Sequence, residues 1–214
     1  MRSNLTRLVV SVAAIASGAC GDISPPNRSA DFYDWRLITG GQALTFNWPQ
    51  ASLPVKIWVE DSLSLPAHTA AGIATWKEQF LYGEWDAVIV GDSSTADVVI
   101  GFSVVPAIRS VRLFSRAPGC AGVTSFPPLV GSTITLPFRV RIVNQSVDPT
   151  SPQAQSCFAI TVAHELGHTM GLFQESLDPN DLMYGIDPTT GPSARDRNTV
   201  QQLYHFPSDL TASR

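Results

Sequence analysis

No run of lysine or arginine occurs in these 214 residues, and the formal net charge is −4. Phosphate backbones are held by clustered cations, so no nucleic-acid partner is expected. Charge is sparse altogether, at 15% of residues against 44% hydrophobic. That balance supplies the sizeable core of one domain, and the chain is too short for two full ones. Beyond the N-terminal segment no apolar run is long enough to span a bilayer. Cysteine is scarce too, with Cys20, Cys120 and Cys157 only. No internal repeat or low-complexity tract is evident. What the chain does have is 16 prolines and 15 glycines, which imply many turns and irregular rims on a globular body.

The first residues read as a targeting segment. Arg2 and Arg7 give a positive start, residues 8–16 a short apolar stretch without acid, and Ser17-Gly18-Ala19 a small-residue cleavage site. Cys20 follows directly. Ser-Gly-Ala-Cys is similar to a bacterial lipobox, although Ser17 stands where an aliphatic residue is usual. Cys20 is therefore a lipidation candidate, and free secretion after cleavage near Ala19 is the alternative. Both put the protein outside the cytoplasm, as a cell-envelope lipoprotein or a secreted or periplasmic protein. The only expected membrane attachment is this lipid anchor. With Cys20 set aside, an exported domain favours a Cys120–Cys157 disulfide. Residues 20–40, with Pro25-Pro26, read as a linker and N-terminal arm, and residues 41–214 as the body.

Along the body, Val55–Val59 alternates and is β-rich, which predicts a strand. Residues 66–81 carry Ala70, Ile73, Ala74, Trp76, Phe80 and Leu81 as a mainly apolar stripe and predict a helix. Strands are expected at 86–90 and 97–102, with a turn at Asp92-Ser93-Ser94. Residues 104–118, where Arg109, Arg112 and Arg116 flank apolar residues, fit a helix, a strand or a rim loop. Strands follow at 119–126 and 134–143, the second interrupted by Pro137, which suits an edge or a bulge. Ser151 as N-cap and Pro152 as first helical residue open a long helix, and Gly171 can close it in a left-handed conformation. A last helix at 192–204 has Ser193 as N-cap with Asp196 three residues on. Strand, helix, four strands and two helices in this order predict an α+β fold, a mixed sheet backed by helices.

The long helix contains the residues with chemistry. His164 and His168 lie one turn apart on one face. That spacing suits two imidazoles on one Zn²⁺, and Glu165 between them can reach a water at the same metal as general base. Three such residue types at fixed offsets on a helix point to a zinc hydrolase.

The run His164-Glu165-Leu166-Gly167-His168-Thr169-Met170-Gly171-Leu172 is followed by Asp178-Pro179-Asn180-Asp181-Leu182-Met183-Tyr184. Together they resemble the zinc helix and Met-turn of the metzincin metalloproteases, specifically the matrixin branch. Ser193 to Tyr204, with Asp196, Val200, Gln201 and Leu203, is similar to the matrixin C-terminal helix. The Val55 strand, the Trp76 helix, Ala96-Asp97-Val98 and Phe126-Pro127-Pro128 extend the likeness over residues 45–206. The resemblance implies a metzincin-like catalytic domain, a twisted mixed sheet backed by two long helices plus a C-terminal helix. It implies a zinc-dependent endopeptidase with Zn²⁺ as cofactor and a protein or peptide as substrate; a monomer is expected. His164 and His168 would be zinc ligands, Glu165 the catalytic base, Gly171 the sharp turn under the metal, and Met183 the packing residue beneath it.

The third ligand departs from the family. Its pattern places a His three residues after the Gly, where this chain has Gln174, and no His occurs in 172–187. A second register counts eight residues back from the Met-turn Met and reaches Glu175, followed by the usual Ser at Ser176. A carboxylate is an able zinc ligand and two His plus one Glu is a working catalytic set, whereas an amide oxygen is a poorer, neutral ligand. Glu175 is thus the preferred third ligand and Gln174 the alternative. Asp178 is expected to make an Asx turn before Pro179. Residues 104–147 hold neither His nor acid, so the family's calcium and second zinc sites are not expected there. The competing expectation is a degenerate metzincin scaffold, a surface binding or structural protein that has lost its metal.

Overall fold

Local rules account for the first elements. β1 (Leu37–Thr39) and β2 (Gln42–Leu44) form an antiparallel hairpin. It turns at Gly40 and Gly41, with φ of 56° and 76°, the positive values that a two-residue hairpin loop requires. In β3 (Val55–Val59), Val55, Ile57 and Val59 are buried while Lys56 and Trp58 face out, the period of two expected of a sheet covered on one face. The computed structural model describes residues 31–102, 111–117, 120–144, 146, 148–186 and 189–214, with 111–117 and 120 through their backbone. Contacts divide the chain into Met1–Ala30 and Asp31–Arg214. The expected leader, Cys20 and the linker fall in the first unit, outside the described residues.

α1 (Leu65–Lys77) ends sooner than its apolar stripe suggests. Beyond Lys77 the chain leaves the helical path, so Phe80 still packs at 8% exposure while Leu81 is 79% exposed. β4 (Ala87–Val90) and β5 (Val98–Phe102) flank a 3-10 turn at Ser93–Thr95. Asp92 caps that turn, its carboxylate accepting from Ser94 N–H at 2.8 Å. The ambiguous 104–118 stretch contains β6 (Val111–Ala117), which pairs antiparallel with β7 (Cys120–Phe126). Pro137 splits the strand expected at 134–143. β8 (Thr133–Thr135) pairs with β10 (Thr211–Ser213), and β9 (Phe138–Asn144) joins the main sheet. A residue without an N–H cannot continue a ladder, so the break falls where it must.

The main sheet runs β4-β3-β5-β9-β7-β6. The first four strands are parallel, β7 is antiparallel to β9, and β6 is antiparallel to β7. With α2 (Pro152–Met170) and α3 (Ala194–His205) the fold is α+β, a mixed sheet with three α-helices among the described residues. Gly72 of α1 meets α2 so closely that a Cβ there would lie 2.9 Å from Leu166 Cδ1. Fully buried Trp76 donates its indole N–H to Ala163 O at 2.7 Å, and Trp48 donates to Thr169 O at 2.9 Å. Phe46, Trp48, Phe126, Phe138 and Phe173 pack beside the C-terminal end of α2, ring centroids 5.2–6.3 Å apart in tilted and edge geometries. Among the described residues no helix is long and apolar enough to cross a membrane.

Candidate metal centre

The helix that carries the site is closed at both ends by its own sequence. Ser151 Oγ accepts from Ala154 N–H at 3.3 Å, and Pro152 occupies the first turn. At the other end Leu172 N–H reaches Gly167 O at 3.2 Å and Gly171 N–H reaches His168 O at 3.1 Å, a Schellman closure. Gly171 has φ 111°, and a Cβ there would sit 2.0 Å from Phe46 O. This closure sends the chain back beneath the last turn, where the two histidines point.

Each imidazole is oriented by a main-chain carbonyl. His164 Nδ1 lies 2.7 Å from Leu182 O and His168 Nδ1 lies 2.5 Å from Leu172 O. A carbonyl only accepts, so each Nδ1 carries the proton and each neutral ring presents a bare Nε2. The two Nε2 atoms are 3.1 Å apart. Glu175 places Oε2 at 3.3 Å from His164 Nε2 and Oε1 at 3.5 Å from His168 Nε2. Ligands held at 2.0–2.2 Å by a tetrahedral ion stand roughly 3.3–3.5 Å apart, close to this spacing. Both Glu175 oxygens are buried without a hydrogen-bond partner. Burial pushes the Glu175 carboxyl up, and the neighbouring His164 and His168 outweigh burial and hold it at about 2. Lone pairs and negative charge thus converge with no donor among them. His164, His168 and Glu175 could hold a metal ion, and the donor set fits Zn²⁺ with a fourth position left for water.

Glu165 faces β7. It is 0% exposed, its Oε2 accepts from Thr124 Oγ1–H at 2.6 Å, and its Oε1 has no partner. Gly122 clears the space, since a Cβ there would lie 2.2 Å from Oε1. Burial raises the Glu165 pKa to about 8; His164 and Thr124 pull it down and Glu175 pushes it up. A carboxyl tuned toward neutrality suits a general base.

The loop from Leu172 to Ile186 is pinned from below. Ser176 N–H bonds Met183 O at 2.7 Å. Buried Asp181 accepts from Ser193 Oγ at 2.6 Å, Arg195 Nε at 2.8 Å and the Ser176 hydroxyl. Asp196 closes the α3 capping box on Ser193 and also accepts from Leu182 N–H at 2.7 Å and Tyr33 OH at 2.9 Å. Met183 is fully buried against Gly167, where a Cβ would fall 2.4 Å from its Sδ. Gly185 leaves room for Glu175, whose Cδ would be 3.1 Å from a Cβ there.

The structure therefore brings His164, His168 and Glu175 together, with Glu165 next to His164 on α2 and Met183 packed against Gly167 of the same helix. The amide nitrogen of Gln174 is engaged elsewhere, donating to Arg36 O at 2.9 Å. Asp178 makes the Asx turn, accepting from Asn180 N–H at 2.9 Å, and pairs with Arg195 at 3.6 Å. Cys157 is disulfide-bonded; the side chain of Cys120, its expected partner, lies outside the described residues. Sequence reasoning did not reach Thr124, Gly122, Gly185 or the carbonyls of Leu172 and Leu182. Each acts through a contact made only by folding, and no local pattern marks it. No protein-family model matches the chain, and no curated protein matches it either.

Proposed function

We propose that this chain is a zinc-dependent metalloendopeptidase on a matrixin-like metzincin scaffold, exported and either lipid-anchored at Cys20 or released, with a protein or peptide substrate. The observation that carries the reading is the convergence of two bare imidazole nitrogens and an unpartnered carboxylate at His164, His168 and Glu175. His164, His168 and Glu175 would hold Zn²⁺, which would act there as a Lewis acid and lower the pKa of water from 15.7 toward about 7. Leu182 O and Leu172 O keep both imidazoles in the ligating tautomer. Glu165 takes a proton from water as its oxygen attacks the peptide carbonyl, then returns it to the departing amine nitrogen.

Metal analysis and casein hydrolysis test the reading together. The parent is expected to carry one zinc per chain and to cleave casein. Glu165→Gln keeps the zinc and loses about 10²–10⁴-fold in kcat. Glu175→Ala loses the zinc and Gln174→Ala does not. A parent that takes up no zinc sinks the proposal. The lack of a third His in 172–187 favours a second reading, a catalytically degenerate scaffold that has lost its metal and acts as a surface binding or structural protein, which a parent without zinc would select.

A further inference from the structure

The geometry points to Thr124 as the residue that positions Glu165 for proton transfer, with Gly122 as the clearance that makes the placement possible. The inference rests on the hydrolytic reading above. Thr124 is fully buried, and its hydroxyl has two acceptors from one residue, Glu165 Oε2 at 2.6 Å and Glu165 O at 3.3 Å. One hydroxyl has one proton, and the shorter contact takes it. That bond occupies Oε2 and leaves Oε1 as the bare oxygen. A general base needs such an oxygen, held in one direction.

The direction is fixed by the sheet. Gly122 and Thr124 are two apart on β7, so they share one face of the strand. β7 is paired on both edges, Gly122 opposite Ile142 of β9 and Ser115 of β6, Thr124 opposite Val140 and Leu113. The strand cannot slide without breaking two ladders. A side chain at 122 would lie 2.2 Å from Oε1, 2.6 Å from Glu165 Cγ and 2.6 Å from Thr161 Cγ2, so the Glu165 carboxylate could not occupy this place. α2 thus carries the base and β7 aims it. The proton Oε1 accepts comes from the attacking water and leaves on the amine nitrogen as the C–N bond breaks.

Thr124→Val keeps the volume and removes the hydroxyl, Thr124→Ser keeps the hydroxyl, and Thr124→Ala is a second hydroxyl-free variant. In the zinc-loaded protein Thr124→Val and Thr124→Ala are expected to lose about 10- to 100-fold in kcat with KM within about twofold. Thr124→Ser should stay close to the parent, and Thr124→Val should add nothing in a Glu165→Gln background. The readout independent of turnover is the visible absorption of Co²⁺-loaded protein. Thr124→Val should change it in the same sense as Glu165→Gln, and Thr124→Ser should not. Unchanged Co²⁺ spectra in both hydroxyl-free variants, with melting temperature and metal content intact, overturn the positioning role. A parent that binds Co²⁺ and cleaves nothing overturns the hydrolytic reading alone, and the spectra still decide the role of Thr124. A parent that takes up no Co²⁺ overturns both.

Discussion

A carboxyl group that is fully buried with one donor, as Glu165 is, is costly to ionise. In the metal-free protein burial raises its pKa to about 8. A raised folded pKa contributes stability that is complete below the unfolded value and is lost as pH rises to the folded value. The metal-free parent should therefore lose stability relative to Glu165→Gln between about pH 4.5 and pH 8, by on the order of a few kcal/mol. Gln does not titrate, and the other groups are common to both proteins, so the difference reads Glu165. Urea unfolding of both proteins in EDTA at several pH values measures it, and a difference that stays flat across that window contradicts the assignment. His164 and His168 were legible in the sequence because residues four apart on a helix share one face, and Glu165 by its place between them. Glu175 was legible only by counting back from Met183. Thr124 was not legible, because it meets Glu165 across 41 positions of sequence.

Among the elements, α2 and α3 illustrate where local rules suffice and where they stop. Ser151, Pro152, Gly171 and Ser193 mark their ends by capping chemistry that acts within a few residues. Asp196 was readable as the partner of Ser193, but not as the anchor of the Leu182–Met183 turn, since its bond to Leu182 N–H depends on how α3 docks. The stretch containing β6 was ambiguous for a related reason: its strand state comes from pairing with β7, not from periodicity. Leu81 was misplaced because an apolar stripe does not show where a helix stops. Asp196 links three elements, the α3 start, the Leu182 turn and Tyr33 of the arm. Asp196→Ala removes a helix cap and strands a buried N–H, which together cost about 2–4 kcal/mol. Leu182 O also orients His164, so the variant should bind zinc about 10- to 100-fold more weakly. Chemical denaturation and a competitive chelator titration measure the two effects. A loss of stability with zinc affinity unchanged would detach Asp196 from the metal centre.

For the molecule entire, strand and helix order was enough to predict an α+β fold with a mixed sheet. It did not reveal that the sheet ends in a β7–β6 pair or that the three α2 side chains are wholly buried, because covering depends on packing that no single segment encodes. The residues that could hold a metal come from two parts of that packing, His164 and His168 from α2 and Glu175 from the loop that follows. A cation bound there ties the loop to the helix only in the folded state. Binding to the folded state alone stabilises it by RT ln(1 + [L]/Kd), about 4 kcal/mol at a thousandfold excess over Kd. For a domain of this size that corresponds to a rise in melting temperature of roughly 10 °C. Calorimetry of the zinc-loaded and chelated parent should show this difference. Gln174→Ala, whose amide reaches Arg36 and not the histidines, should retain it, and Glu175→Ala should melt at the same temperature with and without zinc. A zinc-dependent rise that survives Glu175→Ala but disappears in Gln174→Ala would move the third ligand to the amide.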